Sequence, residues 1–135
     1  MNNFSISDLE TTVQRQVREI FRGDKAGVYS NRPKATRPME DNFFVVRVAD
    51  SVIDTLAYGT CTLAIDIFVK DVENLKNNKR LEYLQSKLMG NIPLLIPSDR
   101  NEYELENTPR VLGDTPDDYG YHARIITFST IIKVQ

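Results

Sequence analysis

Apolar residues at Leu9, Val13, Val17, Ile20 and Phe21 recur at helical spacing, while Gln14, Arg15, Arg18, Glu19 and Arg22 fall mostly on other faces. This pattern predicts an amphipathic helix over roughly residues 8–22. Ser7 and Glu10 bracket its start as a capping box would: the hydroxyl accepts from a free backbone N–H and the carboxylate reaches back to the cap. Gly23 is placed to end it in a left-handed conformation.

Beyond this helix the period changes. Residues 28–42 are broken by Pro33 and Pro38, which reads as a loop with a short strand at Val28 to Ser30. Density of β-branched and aromatic residues rises from Asn42 to Ile53, predicting a strand. A second strand follows, in which Cys61, Leu63, Ile65, Ile67 and Val69 alternate with the intervening residues. A bend near Thr55 to Gly59 would make the two an antiparallel hairpin. A second helix begins after Asp71 or only at Asn77 or Asn78, buries Leu81, Leu84 and Leu88, and stops near Gly90. Asn91 to Pro97 reads as a short edge strand between prolines. Residues 98–120 are polar and turn-rich with a possible strand at Thr108 to Leu112, and Tyr121 to Val134 reads as a long final strand. Both helices would find cover on one face of a single antiparallel or mixed sheet of about four to five strands, an α+β fold over residues 1–135.

Composition fits one domain. The chain has 135 residues, 41% hydrophobic and 27% charged, with a net charge of −2, too near neutral for general affinity to nucleic acid or an anionic membrane. One cysteine, Cys61, excludes an internal disulfide and a cysteine-rich zinc site. The opening MNNFSISDLE has no basic segment followed by an apolar run, so no secretory leader is expected, and the apolar runs are too short to cross a bilayer.

Little in the chain points to catalysis. His122 is the single histidine; it excludes a two-histidine metal site and leaves one candidate general base, with no paired nucleophile. Cys61 shares a strand face with Leu63 and Ile65, the place of a small buried hydrophobe. Asp114, Asp117 and Asp118 form the densest carboxylate cluster, but without calcium-loop spacing and around Pro116, as in a solvated turn. Asp66 with Lys70 resembles part of a nuclease site, but Phe68 stands where the second acid is needed. No catalytic, cofactor-binding or metal-binding residues are therefore expected. Two other classes stay open: a metal-dependent hydrolase or nuclease using Asp66, Asp114, Asp117 and Asp118, and a nucleic-acid-binding module using Arg32, Lys34 and Arg37 with Tyr29 and Phe43.

Charge is distributed unevenly. Residues 14–37 hold seven cations (Arg15, Arg18, Arg22, Lys25, Arg32, Lys34 and Arg37) against Glu19 and Asp24, a net +5. Residues 99–118 hold seven anions (Asp99, Glu102, Glu104, Glu106, Asp114, Asp117 and Asp118) against Arg100 and Arg110, a net −5. Opposite patches on one protein allow head-to-tail association, which closes into a ring when the rotation is right. Solvated loops, or contact between the two stretches within one chain, are the alternative reading.

The order of elements resembles that of the small tail-terminator or tail-completion proteins of tailed bacteriophages. Shared features are the N-terminal amphipathic helix (Leu9 to Phe21), a β-hairpin (Phe43 to Val69) and a middle helix (Leu75 to Met89). A closing strand follows a polar aspartate-containing loop, DDYGYHARIITFSTIIK, from Asp117 to Lys133. The polar insert Ser98 to Asp114 goes beyond the family's minimal pattern. The resemblance implies a non-enzymatic virion protein of the tail or neck, made in the host cytoplasm. It would form a hexameric or other cyclic ring that ends the tail tube and meets the head connector, with DNA passing through the lumen without specific binding. The implied subunit interface joins Arg15, Arg18, Arg22, Arg32, Lys34 and Arg37 of one copy to Glu102, Glu104, Glu106, Asp114, Asp117 and Asp118 of the next. No membrane and no cofactor are implied.

Overall fold

The computed structural model describes residues 6–30, 40–53, 58–95, 103–105, 109–116 and 119–133. Its elements in chain order are α1 (Ile6–Ile20), a 3-10 turn (Arg22–Asp24), β1 (Gly27–Tyr29), β2 (Asn42–Ile53), β3 (Tyr58–Lys70), α2 (Asn78–Gly90), α3 (Ile92–Leu95), β4 (Tyr103–Leu105), β5 (Arg110–Pro116) and β6 (Tyr121–Lys133). The strands form one mixed sheet in the order β1-β2-β3-β6-β4, with β5 also paired to β6. Among the described strands only the β1–β2 pair is parallel. The fold is α+β.

Strand parity decides the faces. Phe44, Val46, Leu63, Ile65, Ile67, Ile126 and Phe128 meet Leu9, Val13 and Val17 of α1 and Leu81, Leu84 and Leu88 of α2 in one buried cluster, so both helices lie on the same side of the sheet. A smaller cluster occupies the opposite face, where Phe43 stacks on Phe68 with ring centroids 4.6 Å apart and meets Tyr121 edge-on at 5.4 Å.

Several local expectations are corrected. Ser7 lies inside α1, and Glu10 does not reach back to cap it. Its Oε2 instead accepts from the Val48 backbone N–H at 2.7 Å. That N–H adjoins the irregularity in β2, where the register with β3 slips between Val48 and Asp50. A bulge deprives a strand of ladder partners, and the carboxylate supplies one. Glu10→Ala is expected to cost about 1 kcal/mol, because the half-buried Val48 N–H loses its acceptor, and Glu10→Gln less because its carbonyl still accepts. Urea denaturation and faster amide exchange at Val48 would report this.

The left-handed residue after α1 is Lys25 (φ 53), not Gly23, which lies within the 3-10 turn. Asp71 does not cap α2. A tight hairpin intervenes, with Val72 and Leu75 exchanging both backbone hydrogen bonds around Glu73 and Asn74, each at positive φ. The cap of α2 is Asn77, whose side chain accepts from the Arg80 N–H. The strand expected at Asn91 to Pro97 is, as far as it is described, the helical turn α3. Pro93 loses nothing in a first turn, where its N–H would be unpaired anyway, and the spacing of Ile92 and Leu95 drives both into the core. The hairpin bend expected near Thr55 to Gly59 falls largely outside the described residues. β4 was not anticipated, and β5 begins later and runs further than the expected Thr108 to Leu112.

Candidate functional site

Sheet order places the described parts of the two charged stretches. The basic stretch runs along α1, the 3-10 turn and β1, at one end of the sheet; β4 and β5, within the acidic stretch, lie beyond β6 at the other end. From β1 to β5 there are four strand spacings of about 4.8 Å, roughly 19 Å, twice the screening length in physiological salt. The described parts of the two stretches therefore do not neutralise each other within one subunit.

Not every charge in them is free. Arg15 is exposed and uncommitted among the described residues, as is Lys25. Arg18 donates through Nη2 to the Val28 carbonyl oxygen at 3.1 Å, and Gln14 Nε2 to Ser30 Oγ at 2.8 Å, so α1 clasps β1. Arg22 pairs with Glu19 at the surface. Asp24 accepts from Lys87 Nζ and from the Tyr83 hydroxyl, each at 2.7 Å. The Lys87 ammonium holds its carboxyl below the usual range. Arg32, Lys34, Arg37, Glu102, Glu106, Asp117 and Asp118 lie outside the described residues, and Glu104 is placed by its backbone, in β4 opposite Ile131.

Asp114 departs furthest from its expected role as a surface acid. It turns toward the helix-covered face and accepts from Arg124 Nε at 2.6 Å and Nη2 at 3.0 Å, and from Lys76 Nζ at 2.6 Å. Arg124 Nη1 reaches Glu82 at 2.9 Å and Gln85 at 2.6 Å on α2. The Arg124 side chain is 8% exposed and Asp114's 17%. This guanidinium, with Lys76, holds the Asp114 carboxyl far below the usual range, and the carboxylates raise Arg124 in turn. The cluster ties β5, β6 and α2 together, so its acid is spent within the subunit. The signal was present in the alternation of ARIITF, which puts Arg124 on the face of Ile126 and Phe128.

Candidate catalytic groups are likewise committed to internal contacts. His122 Nδ1 lies 2.6 Å from Asp71 Oδ1. Cys61 is fully buried, and burial, with the Asp50 charge, pushes its thiol up to about 11, which opposes thiolate formation. Asp66 faces Arg47 at 3.4 Å. Among the described residues no three His, Cys, Asp or Glu side chains gather as a metal site requires. An open cleft of about 730 Å³ lies between the start of β2 and α2, bordered by Lys25, Glu40, Asp41, Lys70 and Arg80. Arg80 crosses it to Asn42 Oδ1 at 3.0 Å and the Asp24 carbonyl at 3.0 Å, while Glu40 is held by the Tyr29 hydroxyl. Its lining mixes both signs of charge. No helix among the described residues is long and apolar enough to cross a membrane.

No protein-family model matches the sequence, and a search of curated proteins finds no similar chain.

Proposed function

We propose that this chain is a non-enzymatic structural subunit of a tailed-bacteriophage virion. It assembles head to tail into a ring at the tail end or head–tail neck, ending the tail tube and meeting the connector. One observation carries the reading: the described elements of the net +5 stretch, ending in β1, and those of the net −5 stretch, β4 and β5, lie at opposite ends of one sheet, with β1 and β5 about 19 Å apart. Charge separated in this way is satisfied between copies, and repetition of one heterologous contact closes into a ring. The internal contacts of Asp114 and Arg18 and the pairing of Arg22 with Glu19 leave Arg15, Arg32, Lys34 and Arg37 on one side, joined by the exposed Lys25. On the other side remain Glu102, Glu104, Glu106, Asp117 and Asp118. The hydrolase reading loses support, since two of its four acids, Asp66 and Asp114, already face arginines.

Light scattering after size exclusion tests this. At low salt the chain is expected to form a cyclic oligomer that dissociates as ionic strength rises from about 0.01 to about 1 M. Arg15→Glu with Lys34→Glu is expected to give monomers, and Glu104→Lys with Glu106→Lys in a second chain to restore mixed assembly. A chain that stays monomeric at high concentration, alone and beside tail-tube and connector proteins, would overturn the reading.

A further inference from the structure

The two ends of the sheet differ as strand edges. β1 is three residues long. Arg18 and Gln14 of α1 clasp it, and a Cβ added at Gly27 would stand 2.8 Å from the Tyr29 ring and 2.9 Å from the Glu40 carboxylate. Shortness and cover are how proteins close an edge. Among the described residues β5 has neither protection. It is seven residues long and paired on one side with β6, and among the described residues nothing pairs with its other side. Val111 and Leu112 are 39% and 48% exposed. The register slips after Leu112, so Arg110–Leu112 is the straight run. Within the slip, Asp114 is anchored to Arg124 and Lys76, which fixes where the straight run ends.

Charge selects what such an edge takes. Glu104 lies in β4, Glu102 and Glu106 flank it, and Asp117 and Asp118 follow β5 directly. The complement is an extended basic segment. Residues 31–39 carry Arg32, Lys34 and Arg37, and Pro33 and Pro38 bias Arg32 and Arg37 toward extended backbone. Between the prolines, the four residues Lys34 to Arg37 keep their N–H groups, enough to span the three-residue straight part of β5. This segment starts after β1 and returns to Glu40, which is bonded to Tyr29 of β1. A span of ten residues that must return reaches at most about 17 Å. The β5 edge of its own subunit is roughly 19 Å away.

We propose that the β5 edge is a strand acceptor, and that residues 31–39 of a second copy are the strand it receives. The contact rests on reading the chain as a self-assembling subunit and supplies that assembly's main-chain component. Flanking prolines limit the added strand to a few residues, which keeps the contact one-to-one rather than open-ended.

The acceptor is tested in a full-length chain whose own donor is disabled by R32E/K34E/R37E, titrated with a synthetic peptide of residues 28–41. Amide hydrogen exchange is expected to slow by about tenfold or more at those residues of the Arg110–Leu112 run whose N–H groups point away from β6, the alternate ones being already paired. Of two peptides N-methylated at Lys34 and Thr36, or at Ala35 and Arg37, one is expected to lose binding, because only alternate N–H groups face the edge. V111K/L112K, at exposed positions, is expected to abolish peptide protection while core exchange stays unchanged. The proposal is overturned if about 1 mM peptide protects no β5 amide or protects other residues instead, if both methylated peptides bind normally, or if V111K/L112K still binds. Protection of β5 in a chain that never assembles would sink the ring reading alone. A ring that survives V111K/L112K would sink the acceptor alone.

Discussion

Replacing Arg124 with methionine should destabilise the chain by about 3–5 kcal/mol, a large part of what a domain of this size possesses. Methionine fills much of the same volume, so the loss arises from the charges left behind. Asp114 keeps only Lys76, and Glu82 and Gln85 lose their donor. Double replacement with Asp114→Asn should recover a substantial part, because the most buried orphan charge is removed with its partner. Acid titration provides the check. Asp114 has a folded pKa below its unfolded value, so its contribution is complete above the unfolded carboxylate range near 4 and fades as pH falls from there toward the folded value. Wild type should therefore lose stability on acidification through that window, and Arg124→Met should show a shallower loss. Equal slopes in urea denaturation across pH 5 to 3 would show that the pair does not couple to folding.

Phe44→Ala should cost a similar 3–5 kcal/mol by a different route. Phe44 is fully buried in β2, opposite Val28 of β1 and Ile67 of β3, with its ring 4.5 Å from that of Phe21 just after α1. Truncation removes transfer energy and leaves a cavity where α1 meets the sheet, and the close-packed strands on either side limit collapse. The expected readout is a lower urea midpoint at unchanged slope, with exchange accelerated first in α1 and β1. Leu75→Ala, at a residue 70% exposed on the Val72–Leu75 hairpin, serves as control and should stay within about 0.5 kcal/mol of wild type. A comparable loss in both variants would place the core elsewhere.

These two variants bear on assembly differently. Arg124 anchors β5, so its loss should weaken the acceptor edge before the fold fails. Phe44 supports α1 and the basic end of the sheet. Neither touches the uncommitted charges of the proposed interface.

Periodicity alone determined most of the architecture. The spacing of Leu9, Val13 and Val17 announced α1, alternation from Cys61 to Val69 announced β3, and the run from Asn42 to Ile53 coincides with β2, because burying one stripe or one face dominates the energetics of each element. Local alternatives defeated it where two readings were nearly equal in energy: Ile92–Leu95 is helical because tertiary burial of Ile92 and Leu95 outweighs the strand preference suggested by flanking prolines. Glu10 looked like a cap and serves a bulge, since the bulge exists only once β2 and β3 are paired. The chain also carried its charge asymmetry openly, and the sequence alone showed net +5 and −5 stretches. Only the tertiary structure decided that the described elements of these stretches lie at opposite ends of a sheet, that Asp114 is turned inward to Arg124, and that β1 is clasped by α1 while no described strand pairs with the far side of β5. Such facts depend on strand order and register, which join residues as distant as Glu82 and Arg124, and no local pattern specifies which strands become neighbours.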